Sequence, residues 1–299
     1  MGKSVKSNLK IWISGARPRT LPAAIAPILV GSACAQANTL DNSTVINLWN
    51  IFFALLVSLA LQIAVNYSND YSDGIRGTDQ QRVGPMRLVG SGAKPPTAVK
   101  RAAFIAFAVA AVFGLVLAAS TTWWLLLVGV ACFVAGWFYT GGSKPYGYLG
   151  FGELFVFVFF GVVATTGTTF VAIETISATS LIASVAVGCL ACALLVVNNL
   201  RDIPGDTVSG KKTLAVRVGD RRTRWFYYLL LFATAVVMVI LSLNFLGSLL
   251  GLLGLLLAIP AIRKIQQQAK GKELIPVLGI TGRTQIFTAI LLSVGIIIS

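Results

Sequence analysis

The sequence predicts an all-α, polytopic membrane protein with about nine transmembrane helices around a central cavity. Three observations predict it. Of 299 residues, 56% are hydrophobic and 11% charged, far outside the range of soluble globular domains. Apolar runs long enough to cross about 30 Å of hydrocarbon recur along the whole chain. All 24 Lys and Arg residues fall on one side of the resulting drawing, as the positive-inside rule requires of a cytoplasmic face.

The predicted spans are residues 20–37, 49–68, 101–119, 122–139, 152–173, 179–199, 225–243, 245–262 and 276–298. The first is entered through Arg17 and Arg19 and punctuated by Pro18, Pro22 and Pro27. It is too long for a signal-peptide core and lacks a small-residue cleavage site, so it reads as a retained helix. The last is interrupted by Gly282, Arg283 and Thr284, and GKELIPVLGITGR reads as the loop leading into it. Only Asp41 and Glu174 fall in the outer loops, which puts the N-terminus and the acidic segments in the cytoplasm.

After the second span comes NYSNDYSDGIRGTDQQRVGPMRLVGSG, residues 66–92, with Asn69, Asp70, Asp73 and Asp79 close together. Carboxylates beside a bilayer repel one another and lose hydration, so such a cluster signals a bound cation, a proton path or basic partners. Asn69 and Asp73 share one face if the helix continues through them. Oxygen ligands without a soft donor suit magnesium, which binds through a few carboxylates, waters and substrate phosphates.

A second copy follows the sixth span. NNLRDIPGDT places Asn198, Asp202 and Asp206 at intervals of four and opens a motif spanning residues 198–219. Four crossings separate the two motifs, so both lie at one depth and can face each other across one cavity. That parity predicts a parallel internal duplication with the ligand between the halves.

Basic, glycine-rich segments adjoin both motifs. RVGPMRLVGSGAKPP carries Arg82 and Arg87, and SGKKTLAVRVG carries Lys211, Lys212 and Arg217. Arginine forks and close-approaching backbone beside carboxylates make the mixed-sign site that a magnesium-bridged diphosphate needs. Between the fourth and fifth spans, YTGGSKPYGYLGFGE holds Lys144 and Glu153. Its tyrosines and glycines also fit an ordinary interfacial turn. Ionisable groups at that depth are nonetheless site candidates.

The composition also excludes several classes. The chain has no histidine, and Cys34, Cys132, Cys189 and Cys192 all fall inside predicted helices, so the lone C-x-x-C is not a metal or redox centre. A net charge of +14 is topology plus attraction to anionic lipid or a polyanionic substrate, with no nucleic-acid partner implied. The residues alone leave open an ion or metabolite transporter using the same carboxylates.

The pairing of NDYSDGIRGTD with NNLRDIPGD resembles the UbiA superfamily of membrane prenyltransferases over nearly the whole chain. ARPRTLPAAIAPILVG, RVGPMRLVGSG, YTGGSKPYGYLGFGE and the spacing from Asp73 to Asp79 are similar to its branch acting on 1,4-dihydroxy-2-naphthoate. The resemblance implies one prenyltransferase domain over residues 1–299 in the plasma membrane. Its implied substrates are a polyprenyl diphosphate and the naphthoate, with membrane lipid around them. It implies Mg2+ held by Asn69, Asp70, Asp73, Asp79, Asn198, Asp202 and Asp206. Diphosphate contacts would come from Arg82, Arg87, Lys144 and Lys211, with Asp73, Asp202 and Lys144 carrying catalysis. Superfamily members using 4-hydroxybenzoate or homogentisate remain the alternative.

Overall fold

The computed structural model describes residues 2–39, 45–78, 84 and 86–299, with residues 2–7 described by backbone alone. Among the described residues every regular element is helical. The first two helices, α1 (Gly2–Ala16) and α2 (Pro22–Ala37), meet at a 51° bend. Arg17 sits in the left-handed region there with φ 54°, followed by a single 3-10 turn at Pro18–Thr20. Prolines at 18 and 22 remove two amide donors at this bend. The next helix, α3 (Leu48–Ile75), braces it: Asn66 Nδ2 donates to the Ala16 carbonyl at 2.9 Å, and Gln62 Nε2 donates to Thr20 Oγ1 at 3.0 Å. Side chains thus satisfy backbone freed inside a membrane helix.

Asn47 caps α3 by accepting from the Asn50 amide, and the helix runs unbroken through Asn69 and Asp73 before stopping near Gly77, whose φ of 71° favours glycine. Then come α4 (Pro96–Ser120) and α5 (Leu125–Phe138). One rod follows from α6 (Gly152–Val156) through a π-helical stretch (Phe157–Val163) to α7 (Ala164–Ile173). The longest helix, α8 (Ala178–Val208), has 31 residues and is the most buried, packed against α2, α10 (Asp220–Ser242), α13 (Leu274–Ile297) and the π stretch. Its crossing with the π stretch is tight, since a Cβ on Gly161 would lie 2.5 Å from the Gly188 Cα. Short α9 (Leu214–Val218) precedes α10, and α11 (Leu250–Leu255) and α12 (Ile259–Gln266) form one further rod between α10 and α13.

Seven of these rods are long and apolar enough to span a membrane, and the bent α1–α2 pair makes an eighth. The chain is therefore a multi-pass membrane protein. A count of nine requires α5, whose 14 residues reach only about 21 Å at 1.5 Å per residue. The expected interruption at Gly282, Arg283 and Thr284 is absent. In its place α13 is continuous from Leu274, with Thr284 and Gln285 fully buried. Polarity is arranged inside out: Phe104, Ile105, Phe232 and Val239 face outward, while Asn50, Thr165, Thr169 and Gln285 are buried. The four cysteines are free and lie within helices.

Candidate active site

A cavity of about 1080 Å3 runs up the middle of the bundle. Ala54 and Asp73, both on α3, line its two ends, about 28 Å apart at 1.5 Å per residue. Around Ala54 the lining is apolar, with Ile28, Leu117 and Val171 clustered beside it. Phe133, Phe155, Phe159 and Phe160 line the cavity between the two ends, and Gly114, Gly129 and Gly167 face the same space without side chains.

The other end is polar and charged. Asn69 and Asp73 reach it from α3, one turn apart, and Asn198, Asp202 and Asp206 reach it from successive turns of α8. Helical continuity through both motifs is what aims these oxygens at a common space. Five basic residues, Arg17, Arg19, Arg87, Arg201 and Lys211, line the cavity beside Asp73, Asp202 and Asp206. Among the described residues this end therefore carries an excess of two positive charges, suited to a polyanion.

Asp73 is the hub. Its carboxylate accepts from Lys211 Nζ at 3.0 Å, from an Arg87 guanidinium nitrogen at 3.3 Å and from the Tyr148 hydroxyl. Tyr148 belongs to a single 3-10 turn (Tyr146–Leu149), its carbonyl accepting from the Lys212 amide at 2.9 Å. Burial, and then the charge on Asp73, pushes its phenol above the usual tyrosine range. On the opposite wall Arg201 grips Asp202 through two bonds of 2.7 Å and donates to Asn198 Oδ1 at 2.7 Å. Asn69 Oδ1 accepts from Thr140 Oγ1 at 2.8 Å.

The model of the UbiA prenyltransferase family matches residues 24–274. The chain belongs to the UbiA prenyltransferase family. Curated relatives include the 1,4-dihydroxy-2-naphthoate octaprenyltransferase of Mycobacterium tuberculosis, 49% identical over 93% of this chain and 94% of the relative. The protein of the same name from Escherichia coli is 34% identical over 98% of this chain and 97% of its own. Among solved structures, a UbiA homologue from Aeropyrum pernix K1 superposes with TM-score 0.67 at 14% identity, over 92% of this chain and 97% of that one. A UbiA homologue from Archaeoglobus fulgidus bound to GPP and Mg2+ superposes with TM-score 0.60 at 14% identity, over 95% and 99%. At such identities the superpositions show the fold.

Within this UbiA chain the structure brings Asn69, Asp73, Arg87, Asn198, Asp202, Asp206 and Lys211 into one cavity. Asp79 and Arg82 lie outside the described residues. Two expected site residues lie outside the cavity lining. Asp70 does not line the cavity: its carboxylate accepts from the Leu88 and Val89 amides at 2.8 and 2.9 Å, fully buried, and so ties the loop carrying Arg87 to α3. One residue's difference in helical phase separates it from the face of Asn69 and Asp73. Lys144 is exposed and outside the cavity lining, carried away by the turn at Gly142.

Sequence reasoning passed over Tyr148 and Arg201. Tyr148 was hidden among interfacial tyrosines. In the sequence Arg201 reads as one more topological charge, although its place directly before Asp202 in NNLRD marks it as a partner.

The donor set fits magnesium. Asn69, Asp73, Asn198, Asp202 and Asp206 offer oxygen only. Among the described residues no three His, Cys, Asp or Glu side chains cluster as a metal site.

Proposed function

We propose that this protein transfers a polyprenyl group from a polyprenyl diphosphate to 1,4-dihydroxy-2-naphthoate, releasing carbon dioxide and diphosphate and forming demethylmenaquinol in menaquinone biosynthesis. One observation carries the reading: a single cavity, about 28 Å from Asp73 to Ala54 along α3, joins a charged, oxygen-rich end to an apolar arm. A diphosphate head and a prenyl tail need those two environments in continuity. The 49% identical relative of that name supports the acceptor.

In this reading the whole chain is one catalytic domain. Asn69, Asp73, Asn198, Asp202 and Asp206, with Asp79, would hold Mg2+, which when bound neutralises diphosphate oxygens. Arg87 and Lys211, now paired with Asp73, would turn to the diphosphate, joined by Arg82 and Arg201. Fixed positive groups in a dry site stabilise the charge that develops as the allylic carbon–oxygen bond breaks and its electron pair leaves with diphosphate. Ring electrons of the naphthoate form the new carbon–carbon bond at the carbon bearing the carboxylate. The carbon–carboxylate bond then breaks, its electron pair restores the ring, and carbon dioxide leaves. The apolar and aromatic walls around Phe155, Phe159 and Phe160 keep water from the cation. By the positive-inside rule the charged end faces the cytoplasm from the plasma membrane.

The test is turnover by purified protein of a labelled prenyl diphosphate with a panel of aromatic acceptors, with and without magnesium. The reading expects magnesium-dependent release of equal amounts of carbon dioxide and diphosphate with the naphthoate, and little turnover of 4-hydroxybenzoate or homogentisate. Prenylation of 4-hydroxybenzoate with its carboxylate retained, and none of the naphthoate, would overturn the acceptor and keep the prenyl transfer.

A further inference from the structure

Glu153 opens α6 and is only 5% exposed. Its Oε1 accepts from Asn199 Nδ2 at 2.9 Å, while Oε2 has no hydrogen-bond partner. Its backbone is fixed as well, the Glu153 carbonyl accepting from Cys192 Sγ at 3.1 Å. A buried carboxyl with one oxygen unsatisfied is costly, and an apolar residue of similar size would avoid that cost. The placement therefore answers to something other than stability.

Asn199 shows what that is. It stands beside Asn198 on α8 and lines the cavity, yet its amide nitrogen is committed to Glu153. The amide oxygen is thereby the end presented to the cavity. Tyr139 borders the same corner, since a Cβ on Gly152 would lie 3.3 Å from its hydroxyl. The charged end also offers cations, the oxygens assigned to the metal and the neutral groups Thr20, Gln62 and Asn66, which bond to one another or to the bend before α2, whereas Asn199 stands next to Asn198 on α8. A neutral, oriented acceptor beside them is suited to a phenolic hydroxyl, which donates.

Building on the naphthoate reading, we propose that Asn199 Oδ1 accepts a hydrogen bond from a ring hydroxyl of the aromatic acceptor, and that Glu153 is the positioning residue that holds the amide in that orientation. The ring carbon that attacks is then set by a contact separate from the metal and diphosphate groups. A hydrogen bond of this kind is worth about threefold to tenfold in binding.

Steady-state kinetics on Asn199→Ala, Glu153→Leu and Glu153→Gln, varying each substrate and magnesium in turn, test the proposal. Asn199→Ala and Glu153→Leu should raise KM for the aromatic acceptor about threefold to tenfold, leaving KM for the prenyl diphosphate and half-saturating magnesium within about twofold. Glu153→Gln keeps an oxygen that accepts from Asn199 and should return the acceptor KM to within about twofold of wild type. If Glu153→Leu does not fold, Asn199→Ala carries the same comparison. An unchanged acceptor KM in Asn199→Ala, an equal rise in both KM values, or a shift in magnesium dependence would overturn the proposal. Wild type runs alongside: turnover of a different acceptor overturns the naphthoate reading alone, and the comparison is then made with that acceptor.

Discussion

The Tyr148 hydroxyl donates to the carboxylate of Asp73, 75 residues earlier in the chain. The same phenol ring lies 4.7 Å beneath the Lys211 ammonium, which reaches Asp73 at 3.0 Å. Three segments distant in sequence, the end of α3, the turn before α6 and the loop after α8, thus close on one carboxylate. The first motif is held ready by the loops that also supply its cations.

Tyr148→Phe removes the donor and keeps the ring under Lys211, so kcat/KM for the prenyl diphosphate should fall about tenfold to a hundredfold, as for one hydrogen bond to a charged group. The phenol is held above its ordinary value, so its stabilising contribution is complete below the unfolded value near 10 and is lost as pH rises toward the folded one. Thermal stability in detergent should be level from about pH 7 to 9 and decline above about 10, less steeply in Tyr148→Phe.

Asp73→Asn and Asp202→Asn should each lower turnover by about a hundredfold or more while the protein remains inserted, because an amide keeps the shape and removes the charge. Asp73→Asn also leaves Lys211 and Arg87 without their shared carboxylate. It should therefore lower the unfolding temperature, which a detergent melting curve reads directly. Near-normal turnover by either variant would exclude that motif from catalysis.

Lys144 and Lys211 separate position from charge. Lys211→Ala deletes a cation buried against Asp73 and should reduce kcat/KM for the prenyl diphosphate by about tenfold or more. Lys144→Ala alters an exposed residue outside the cavity and should leave it within about twofold. Equal losses in the two variants would return Lys144 to the site.

Much of this arrangement was legible in the sequence, and what was not has physical reasons. Span positions follow from apolar runs, and the four-residue spacing from Asn69 to Asp73 and from Asn198 to Asp202 fixes their shared faces once the helices continue. The hydrophobic signal ends before the helices do: α3 and α8 persist to Ile75 and Val208, with Asn66, Asn69, Asp70 and Asp73 of α3 and Asn199 and Arg201 of α8 buried on the inward side. Which side of the loop Arg87 and Lys144 fall on depends on turns without periodicity. The phase that sets Asp70 apart from Asp73 shows only once the helix is known to continue through NDYSD, and its partners, the Leu88 and Val89 amides, lie 18 and 19 residues on.

Orientation is checked by single cysteines in a cysteine-free background. Cysteines at Thr78 and Thr207 should react with an impermeant thiol reagent from the cytoplasmic side only, and one at exposed Asn244, past the far end of α10, from the outside. Labelling of Thr78 and Thr207 from opposite sides would contradict the common cavity.

Two sets of glycines in this bundle have opposite tolerance for redesign. Those at helix crossings, such as Gly161 against Gly188 and Gly254 against Thr288, leave no room for a methyl group. Gly114, Gly129 and Gly167 border the apolar arm, and an added Cβ there would meet nothing within 4 Å. Each gives up about 0.5–1 kcal/mol of helix stability relative to alanine, with no close packing in return. In the reading proposed above, that open space is length for the tail, so a larger side chain at any one of the three should shorten the isoprenoid accepted without disturbing a helix contact.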